Sequence, residues 1–275
     1  LLVSGQQAVA QDTEAGTTVS NQATVSFSVN GINQGTVPSN EYIFQVDRRV
    51  DFELTLQNSD PTPITPGLDD VFLPFLLTNT SNDTLDFDLS QLPLAAGETV
   101  RTSLTTTAPL MESIRVEVAA APIGGGADPS DETPTPTGGI SNVSALAPNA
   151  QIRIYIYANA PIALSDLDVQ GFELAATASL GGSPLVDNSG DTDDPFSVQN
   201  VFAIPPTGGN AVLAARDAFT VSSANIDAVK SSSVLSDPIT DLAGGTNPKA
   251  IPEAIVEYSI ELTNNGSVAA DGIVI

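Results

Sequence analysis

The sequence predicts an all-β protein built of sandwich-type domains with Greek-key connections. Three observations support this prediction. Apolar residues alternate with polar ones in many short segments, which is the pattern of strands with one buried face. No segment carries a sustained helical period. Charged residues make up only 15% of the chain, and Thr, Ser, Asn, Gly, Ala and Val fill much of the remainder, a composition typical of β-rich surface proteins.

One segment occurs twice in the chain. Each copy has a Pro-rich lead-in, an alternating strand that closes on Leu-Thr-Asn, a polar turn and a second strand. The alternating strands span 71–79 and 255–264, and their triplets end at Asn79 and Asn264, so the offset is 264 − 79 = 185 residues. A repeat of this length indicates a whole domain that recurs, because solenoid units are only a few tens of residues long.

Residues 1–15 are predicted to be an N-terminal extension with two open interpretations. Leu1-Leu2-Val3 followed by Ala8-Val9-Ala10 is typical of the end of a secretory signal with an Ala-x-Ala cleavage site. The same apolar residues also suit a terminal strand that docks on, or is donated to, another subunit. In either case we expect an exported protein whose precursor carries a cleaved signal peptide.

Residues 16–204 are predicted to form one large β-sandwich domain. It opens with a hairpin in which Asn30-Gly31 supplies the favoured type I′ turn, since both central positions need a positive φ. Further strands are predicted at intervals up to residue 202. Residues 122–149 are rich in Gly and Pro and poor in apolar side chains, so they are predicted to be a long exposed loop.

The best domain boundary in the sequence is Pro205-Pro206-Thr207-Gly208-Gly209. We therefore predict a linker at 205–217 and a partial second β-sandwich repeat at 218–275. A sandwich needs about seven strands to cover both inner faces, and the second repeat supplies about three. Its apolar flank should therefore be covered by something else.

Composition excludes several classes of function. With 8 basic and 33 acidic residues the formal charge is −25, which disfavours nucleic acid and anionic lipid as partners. The chain has no Cys and no His, so thiol nucleophiles, His-based triads, disulfides and Cys-type zinc sites are absent. No run of eighteen apolar residues exists, so no transmembrane helix is expected.

We expect no enzymatic activity. A pair of carboxylates for glycoside hydrolysis is the one catalytic arrangement that the composition leaves open. Sugar clefts also use aromatic platforms, and this chain has no Trp and only 5% aromatic residues. A carboxylate-dependent glycoside hydrolase is therefore the third and least favoured function.

One loop offers a candidate cation site. Oxygen donors suited to Ca²⁺ cluster in it, at Asp187, Asn188, Asp191, Asp193 and Asp194. Their spacing lacks the EF-hand register and its distal bidentate Glu. The alternative interpretation is a solvated acidic turn between two strands. No other cofactor is expected.

The repeats resemble a known family. Asn-Pro-Lys-Ala-Ile-Pro at 247–252, the strand at 256–260 and the segment 262–270 look like the conserved-repeat domain of bacterial surface proteins, catalogued as domain of unknown function number eleven. The segments 46–51 and 81–87 resemble the region ahead of those repeats. The resemblance implies an Ig-like β-sandwich, export and a cell-surface or extracellular setting, with no catalytic residues. Family members continue beyond the strand that corresponds to 273–275.

These features lead to a functional expectation. We expect a secreted structural protein, a subunit of an extracellular filament or surface layer, in which strand exchange between copies completes the second sandwich. The alternative is a stalk or adhesin segment of a longer repeat-containing cell-surface protein. The residues expected at the interface between copies are Leu1, Leu2, Val3, Val9, Ile255, Tyr258, Ile260, Leu262, Ile273 and Ile275.

Overall fold

A computed structural model describes residues 13–101, 104–107, 111–119 and 142–275 of the chain. Nearly every element in these ranges is a strand, and the predicted all-β sandwich class is confirmed. The strands are β1 Thr18–Asn21, β2 Thr24–Val29, β3 Ile32–Pro38, β4 Tyr42–Gln45, β5 Arg48–Val50, β6 Phe52–Leu56, β7 Thr62–Ile64, β8 Val71–Asn79, β9 Leu85–Pro93, β10 Thr99–Arg101, β11 Leu104–Thr105, β12 Glu112–Val118, β13 Asn142–Leu146, β14 Gln151–Asn159, β15 Val169–Leu180, β16 Ser183–Pro184, β17 Asn200–Phe202, β18 Val212–Val221, β19 Ile226–Ser236 and β20 Ile255–Asn264. The short helix α1 spans Pro238–Leu242.

Two facing sheets form the sandwich. One has the order β12-β14-β8-β6, and the other has β13-β9-β15-β18-β7 with β16 attached to β15. Most pairs are antiparallel, whereas β7 runs parallel to β18. The chain passes from the first sheet to the second between β8 and β9, and again between β14 and β15. These crossings place strands that are distant in sequence side by side, as a Greek-key arrangement does.

The core lies between the two sheets. Leu73, Phe75 and Leu77 are fully buried at alternate positions of β8, because alternate side chains of a strand point to the same face. The rings of Phe52 and Phe87 meet edge to face at 5.0 Å between centroids and so join the first sheet to the second. The alternation read from the sequence therefore corresponds to real burial in this domain.

The predicted N-terminal hairpin is present. Strand β2 pairs with β3, and the turn between them has φ of 52° at Asn30 and 81° at Gly31, as a type I′ turn requires. Strands β1 and β4 form a second antiparallel pair that flanks it in sequence. Neither pair belongs to the two large sheets.

The predicted linker at 205–217 is wrong over its second half. Residues 212–221 form β18, which pairs antiparallel with β15 in the second sheet of the sandwich. Phe219 and Val221 of this strand are buried in the core, so the second repeat does not begin at residue 218. The reason is that a turn inside a domain and a linker between domains share the same Pro-Gly chemistry. Ladder contacts with the sandwich end at Ser222, whose N–H donates to the carbonyl of Ile64.

The predicted loop at 122–149 is also longer than the structure allows. Residues 142–146 form β13 and pair with β9, with Val143 opposite Phe87. Val143 and Leu146 are buried, which explains why this Ser- and Asn-rich stretch joins the sheet. Residues 122–141 of the prediction lie outside the described residues.

A second, smaller core covers the outer face of the second sheet near Gly171. It contains Leu94, Val100, Val169 and Ala218. A Cβ placed on Gly171 would lie 2.4 Å from Cγ2 of Val100 and 2.6 Å from Oγ1 of Thr106. The carbonyl of Gly171 accepts from the N–H of Leu94, so the backbones are held at this close approach. Only glycine fits at this position without displacing its neighbours.

We predict that Gly171→Ala lowers the free energy of unfolding by about 1–3 kcal/mol, because the added methyl overpacks this small core. The matched control is Gly190→Ala, where an added Cβ has no atom within 4 Å and φ is not positive. That variant should stay within about 0.5 kcal/mol of the wild type. Urea unfolding curves measure both, and equal effects would contradict the close-approach argument.

Candidate assembly surface

Strands β19 and β20 form a two-stranded antiparallel ribbon, called the tail ribbon below. Ile226 pairs with Asn264, Lys230 with Ile260 and Val234 with Val256. Because alternate side chains point to opposite faces, β20 places Val256, Tyr258, Ile260 and Leu262 on one face and Ile255, Glu257, Ser259 and Glu261 on the other. The mainly apolar side, called the tail face, comprises Ile226, Ala228, Lys230, Ser232, Val234, Val256, Tyr258, Ile260 and Leu262.

Of the four predicted interface residues within β20, three lie on the tail face. Tyr258, Ile260 and Leu262 lie on it together, as predicted. Ile255 has the opposite parity and lies on the polar side of β20, so its assignment to the same apolar face is wrong. The charged group on this face, the Lys230 ammonium, sits 4.9 Å from the centroid of the Tyr258 ring, where a cation–π contact stabilises it.

The end of each repeated strand has the same local geometry. Asn79 accepts from the N–H of Ser81 and donates to the carbonyl of Asp83, two and four residues further along. Asn264 accepts from the N–H of Gly266 and donates to the carbonyl of Val268, again two and four residues further along. The Leu-Thr-Asn repeat therefore encodes one and the same turn in both copies.

The two copies also share their strand register. Phe52 lies opposite Asn79 in the sandwich, and Ile226 lies opposite Asn264 in the tail ribbon. With the offset of 185, Leu73, Phe75 and Leu77 correspond to Tyr258, Ile260 and Leu262. The first three are 0% exposed, whereas the second three are 67%, 42% and 37% exposed. The tail ribbon thus repeats the pairing register of β6 and β8, but among the described residues no second layer covers its apolar face.

The two copies differ at one strand edge. In the sandwich, β8 has β6 on one edge and β14 on the other. In the tail ribbon, β20 pairs with β19 on one edge, and the described residues place no strand on its second edge. Backbone N–H and C=O groups along that edge are available to a further strand.

Asp166 fastens the tail ribbon to the sandwich. Its carboxylate accepts from the N–H of Ser223 at 2.8 Å and from the N–H and hydroxyl of Ser267 at 2.8 and 2.5 Å. These bonds, that of the Ser267 hydroxyl first, lower the pKa of Asp166 below its ordinary value. A Cβ on Gly266 would lie 2.1 Å from the carbonyl oxygen of Ser223, so glycine is required where the turn after β20 meets the segment between β18 and β19.

Asp237 organises the connection between the two strands of the ribbon. One carboxylate oxygen accepts from the N–H groups of Ile239 and Thr240 and so caps the N-terminus of α1. The other oxygen accepts from the N–H of Lys249 at 2.6 Å, which ties down the Pro-rich lead-in to β20. These bonds, that of the Thr240 N–H first, lower the pKa of Asp237 to about 2.

The predicted interface residues near the chain ends have different outcomes. Ile273 and Ile275 are exposed, but residues 272–275 do not form the predicted second strand. The corresponding strand β9 pairs with β13 and β15, and residues 272–275 have no ladder partner among the described residues. Leu1, Leu2, Val3 and Val9 lie outside the described residues, so a donor strand there stays a prediction.

In the acidic loop at 187–194, carboxylate oxygens accept hydrogen bonds from residues two or three positions away in the sequence. Asp187 accepts from the N–H of Ser189, which lowers the pKa of Asp187, and Asp191 accepts from the side chain of Asn188. Asp194 accepts from the N–H of Phe196 and the hydroxyl of Ser197. Over the described residues, which include Asp193, no three carboxylates come together as a metal site would need. Binding of Ca²⁺ by this loop stays a prediction.

The N-terminal hairpin forms a second exposed apolar surface, which the sequence pattern does not reveal. The hairpin β2–β3 was expected to be half-buried in the sandwich, yet every residue of both strands is exposed. The pairing of Val25 with Val37 and of Val29 with Ile32 places its apolar side chains on one side. This side, called the head face below, comprises Val25, Phe27, Val29, Ile32 and Val37. The alternation of apolar and polar residues in β2 indicates that one face is apolar, but it does not show whether that face is buried or exposed.

The head hairpin and the tail ribbon attach at opposite ends of β8. Beyond its C-terminal end, Asn82 donates to the carbonyls of Thr13 and Asp47, which flank the N-terminal pairs. Before its N-terminal end, Gly67 donates to the carbonyl of Ala160, in the loop that also carries Asp166. Nine residues of strand, about 30 Å, separate the two attachments.

Fold and surfaces together define an all-β sandwich protein with an exposed amphipathic ribbon at each end of its sandwich. No protein-family model matches the chain, and no curated protein matches it. The resemblance to the conserved-repeat surface domain therefore stays an expectation from the sequence. Within the described part of the chain, no helix has the length and apolar character that a membrane crossing requires.

We predict that the connection between β19 and β20 loosens in acid. Because the pKa of Asp237 is lowered in the folded protein, its stabilising contribution is complete above about pH 4 and is lost as the pH falls through about 2. The protection of the amides of Thr240 and Lys249 against hydrogen exchange, relative to the intrinsic rate at each pH, should fall over that interval. Asp237→Asn should abolish the pH dependence, and Glu257→Gln, on the polar side of β20, should preserve it. Unchanged protection of these amides in the wild type would contradict this assignment.

Proposed function

We propose that this protein is a secreted structural subunit that assembles into an extracellular filament or surface layer by β-strand complementation between copies. One observation carries the proposal. The tail ribbon repeats the register of a sandwich layer, but the side chains that correspond to buried core residues are exposed. A layer of this kind reaches its stable state when a second layer covers it.

Two unsatisfied features of the tail ribbon support assembly. Its face exposes large apolar side chains in a contiguous group, which is typical of an interaction surface. Its outer edge, at β20, offers a ladder of backbone donors and acceptors on which a strand can be added. Strand addition answers both needs at once, because the added strand extends the sheet and brings its own apolar side chains.

Charge favours the same surface. The chain carries a formal charge of −25, so two copies repel each other over most of their surfaces. The tail face carries no carboxylate; Glu257 and Glu261 point to its other side, and its charged residue is the cation Lys230. Contact through this face therefore avoids direct juxtaposition of acidic groups, and salt should promote it by screening the remaining repulsion.

The alternative function is a stalk or adhesin segment of a longer repeat-containing surface protein. The shared register and shared Asn turn of the two copies favour it, since tandem repeats occur in such stalks. In that case a following part of the same polypeptide covers the tail face. The intact mass of the native protein separates the two proposals, because the stalk requires a polypeptide much longer than 275 residues. A hydrolase screen on polysaccharides tests the third expectation, a glycoside hydrolase.

We predict that the 275-residue chain forms large assemblies as its concentration rises, and that Ile260→Asp keeps it monomeric. A carboxylate on the tail face would have to lose its hydration on assembly without a partner. The measurement is size-exclusion chromatography with light scattering over a wide concentration range, followed by electron microscopy of negatively stained samples.

The matched control is Ser259→Asp, which adds the same charge to the polar side of the same strand. It should assemble as the wild type does. A wild-type protein that stays monomeric at all concentrations and salt strengths would refute assembly between copies.

A further inference from the structure

We propose that the partner of the tail face is the head face of a second copy, so that the hairpin β2–β3 of one subunit closes the tail ribbon of its neighbour. This inference rests on the proposed function and specifies its interface. It gives a role to the hairpin β2–β3, which belongs to neither large sheet of the sandwich. Both ribbons carry most of their apolar side chains on one side, and no strand or layer covers that side among the described residues.

The head hairpin has the character of a facing layer. Phe27 is 47% exposed, and its neighbours on the head face are exposed to a similar or greater degree. Side chains on the opposite side of β2 are Thr24, Ser26 and Ser28, which suits contact with water. Two amphipathic ribbons of this kind pack with their apolar sides together, about 10 Å apart, as the layers of a sandwich do.

The sandwich itself shows which strand pattern covers the repeated layer. There, β9 crosses over it with Leu85-Asp86-Phe87-Asp88-Leu89, and Phe87 packs edge to face on Phe52. The head strand β2 has the same pattern in Val25-Ser26-Phe27-Ser28-Val29.

In the tail ribbon, the residue with the register of Phe52 is Ile226, opposite Asn264. The structural correspondence thus points to a contact between Phe27 of one copy and Ile226 of the next.

Electrostatics favours the head hairpin as the occupant. Residues 24–38, which comprise β2, β3 and their turn, contain no charged side chain in a chain with 33 carboxylate residues. The tail face has no carboxylate and one ammonium group, on Lys230. These two surfaces can approach each other closely without opposing two acidic groups, whereas contacts between most other surfaces of two copies oppose like charges.

The placement of the two surfaces determines the type of assembly. They attach at opposite ends of β8, about 30 Å apart along the strand, so each subunit presents a different surface at each end. A contact between unlike surfaces is heterologous, and repeated head-to-tail contacts give an open chain unless the rotation closes a ring. The geometry therefore favours a filament over a symmetric dimer.

The test is a mixing experiment with two variants. Phe27→Asp removes the head surface, and Ile260→Asp removes the tail surface. Each variant alone should be monomeric, with its half-assembly concentration raised by about 30-fold or more, as for loss of an interface hot spot. An equimolar mixture should form a dimer with one intact interface, and light scattering should show no larger species. Ser26→Asp, on the polar side of β2, is the matched control and should assemble normally.

Disulfide trapping locates the contact directly. Because the natural chain has no Cys, Phe27→Cys in one preparation and Ile226→Cys in another provide two unique thiols. Oxidation of the mixture should give a cross-linked dimer, and the mixture of Ser26→Cys with Ile226→Cys should not.

The outcomes separate the two proposals. If the wild type assembles and Phe27→Asp assembles equally well, the head hairpin is not the occupant, although assembly between copies stands. If the wild type never assembles, the proposed function itself fails. If Phe27→Asp and Ile260→Asp are both monomeric but their mixture remains monomeric, the two surfaces do not bind each other and this inference is overturned.

Discussion

A two-stranded ribbon with one apolar side must have that side covered, and this requirement governs the whole molecule. An isolated hairpin is only marginally stable in water, and a third strand or a facing layer is needed for independent stability. The sandwich satisfies the requirement internally, since β14 extends the layer of β8 and the second sheet covers its apolar side. Among the described residues, the tail ribbon and the head hairpin have neither a third strand nor a layer that covers their apolar side.

A few polar contacts join the N-terminal pairs and the tail ribbon to the sandwich. Asp166 and Gly266 join the tail ribbon to the sandwich, and Asp237 organises the loop between its strands. Asn82 performs the corresponding task at the other end, where it donates to the carbonyls of Thr13 and Asp47. An exposed apolar ribbon that is restrained by such bonds is preorganised for a partner, because less conformational freedom is lost on binding.

Much of the fold could be predicted from the sequence because the relevant signals are local. The alternation in β8, the Asn30-Gly31 turn and the two Leu-Thr-Asn segments each depend on neighbouring residues only. The partner of a strand depends on residues far along the chain. For this reason β18 could not be assigned to the sandwich, although its Pro-Gly-rich turn was evident.

The candidate surface was predictable in part. Tyr258, Ile260 and Leu262 could be identified from their alternation, but that pattern shows only that one face is apolar and not what covers it. The same limit explains why the head hairpin was expected inside the sandwich. Ile255 is as hydrophobic as these residues, but its position has the opposite parity, so it lies on the other side of the strand. The need for glycine at Gly171 depends on contacts with Val100 and Thr106, about seventy residues away, and leaves no local sequence signal.

The attachment of both ribbons at opposite ends of β8 has a mechanical consequence. Tension applied through the two ends runs parallel to the strands of the sandwich, so β8 and its neighbours are loaded in shear. Ladder hydrogen bonds perpendicular to the pull must then break together rather than one at a time. The sandwich should therefore resist a pull along its strands far better than the peeling of an edge strand from its sheet.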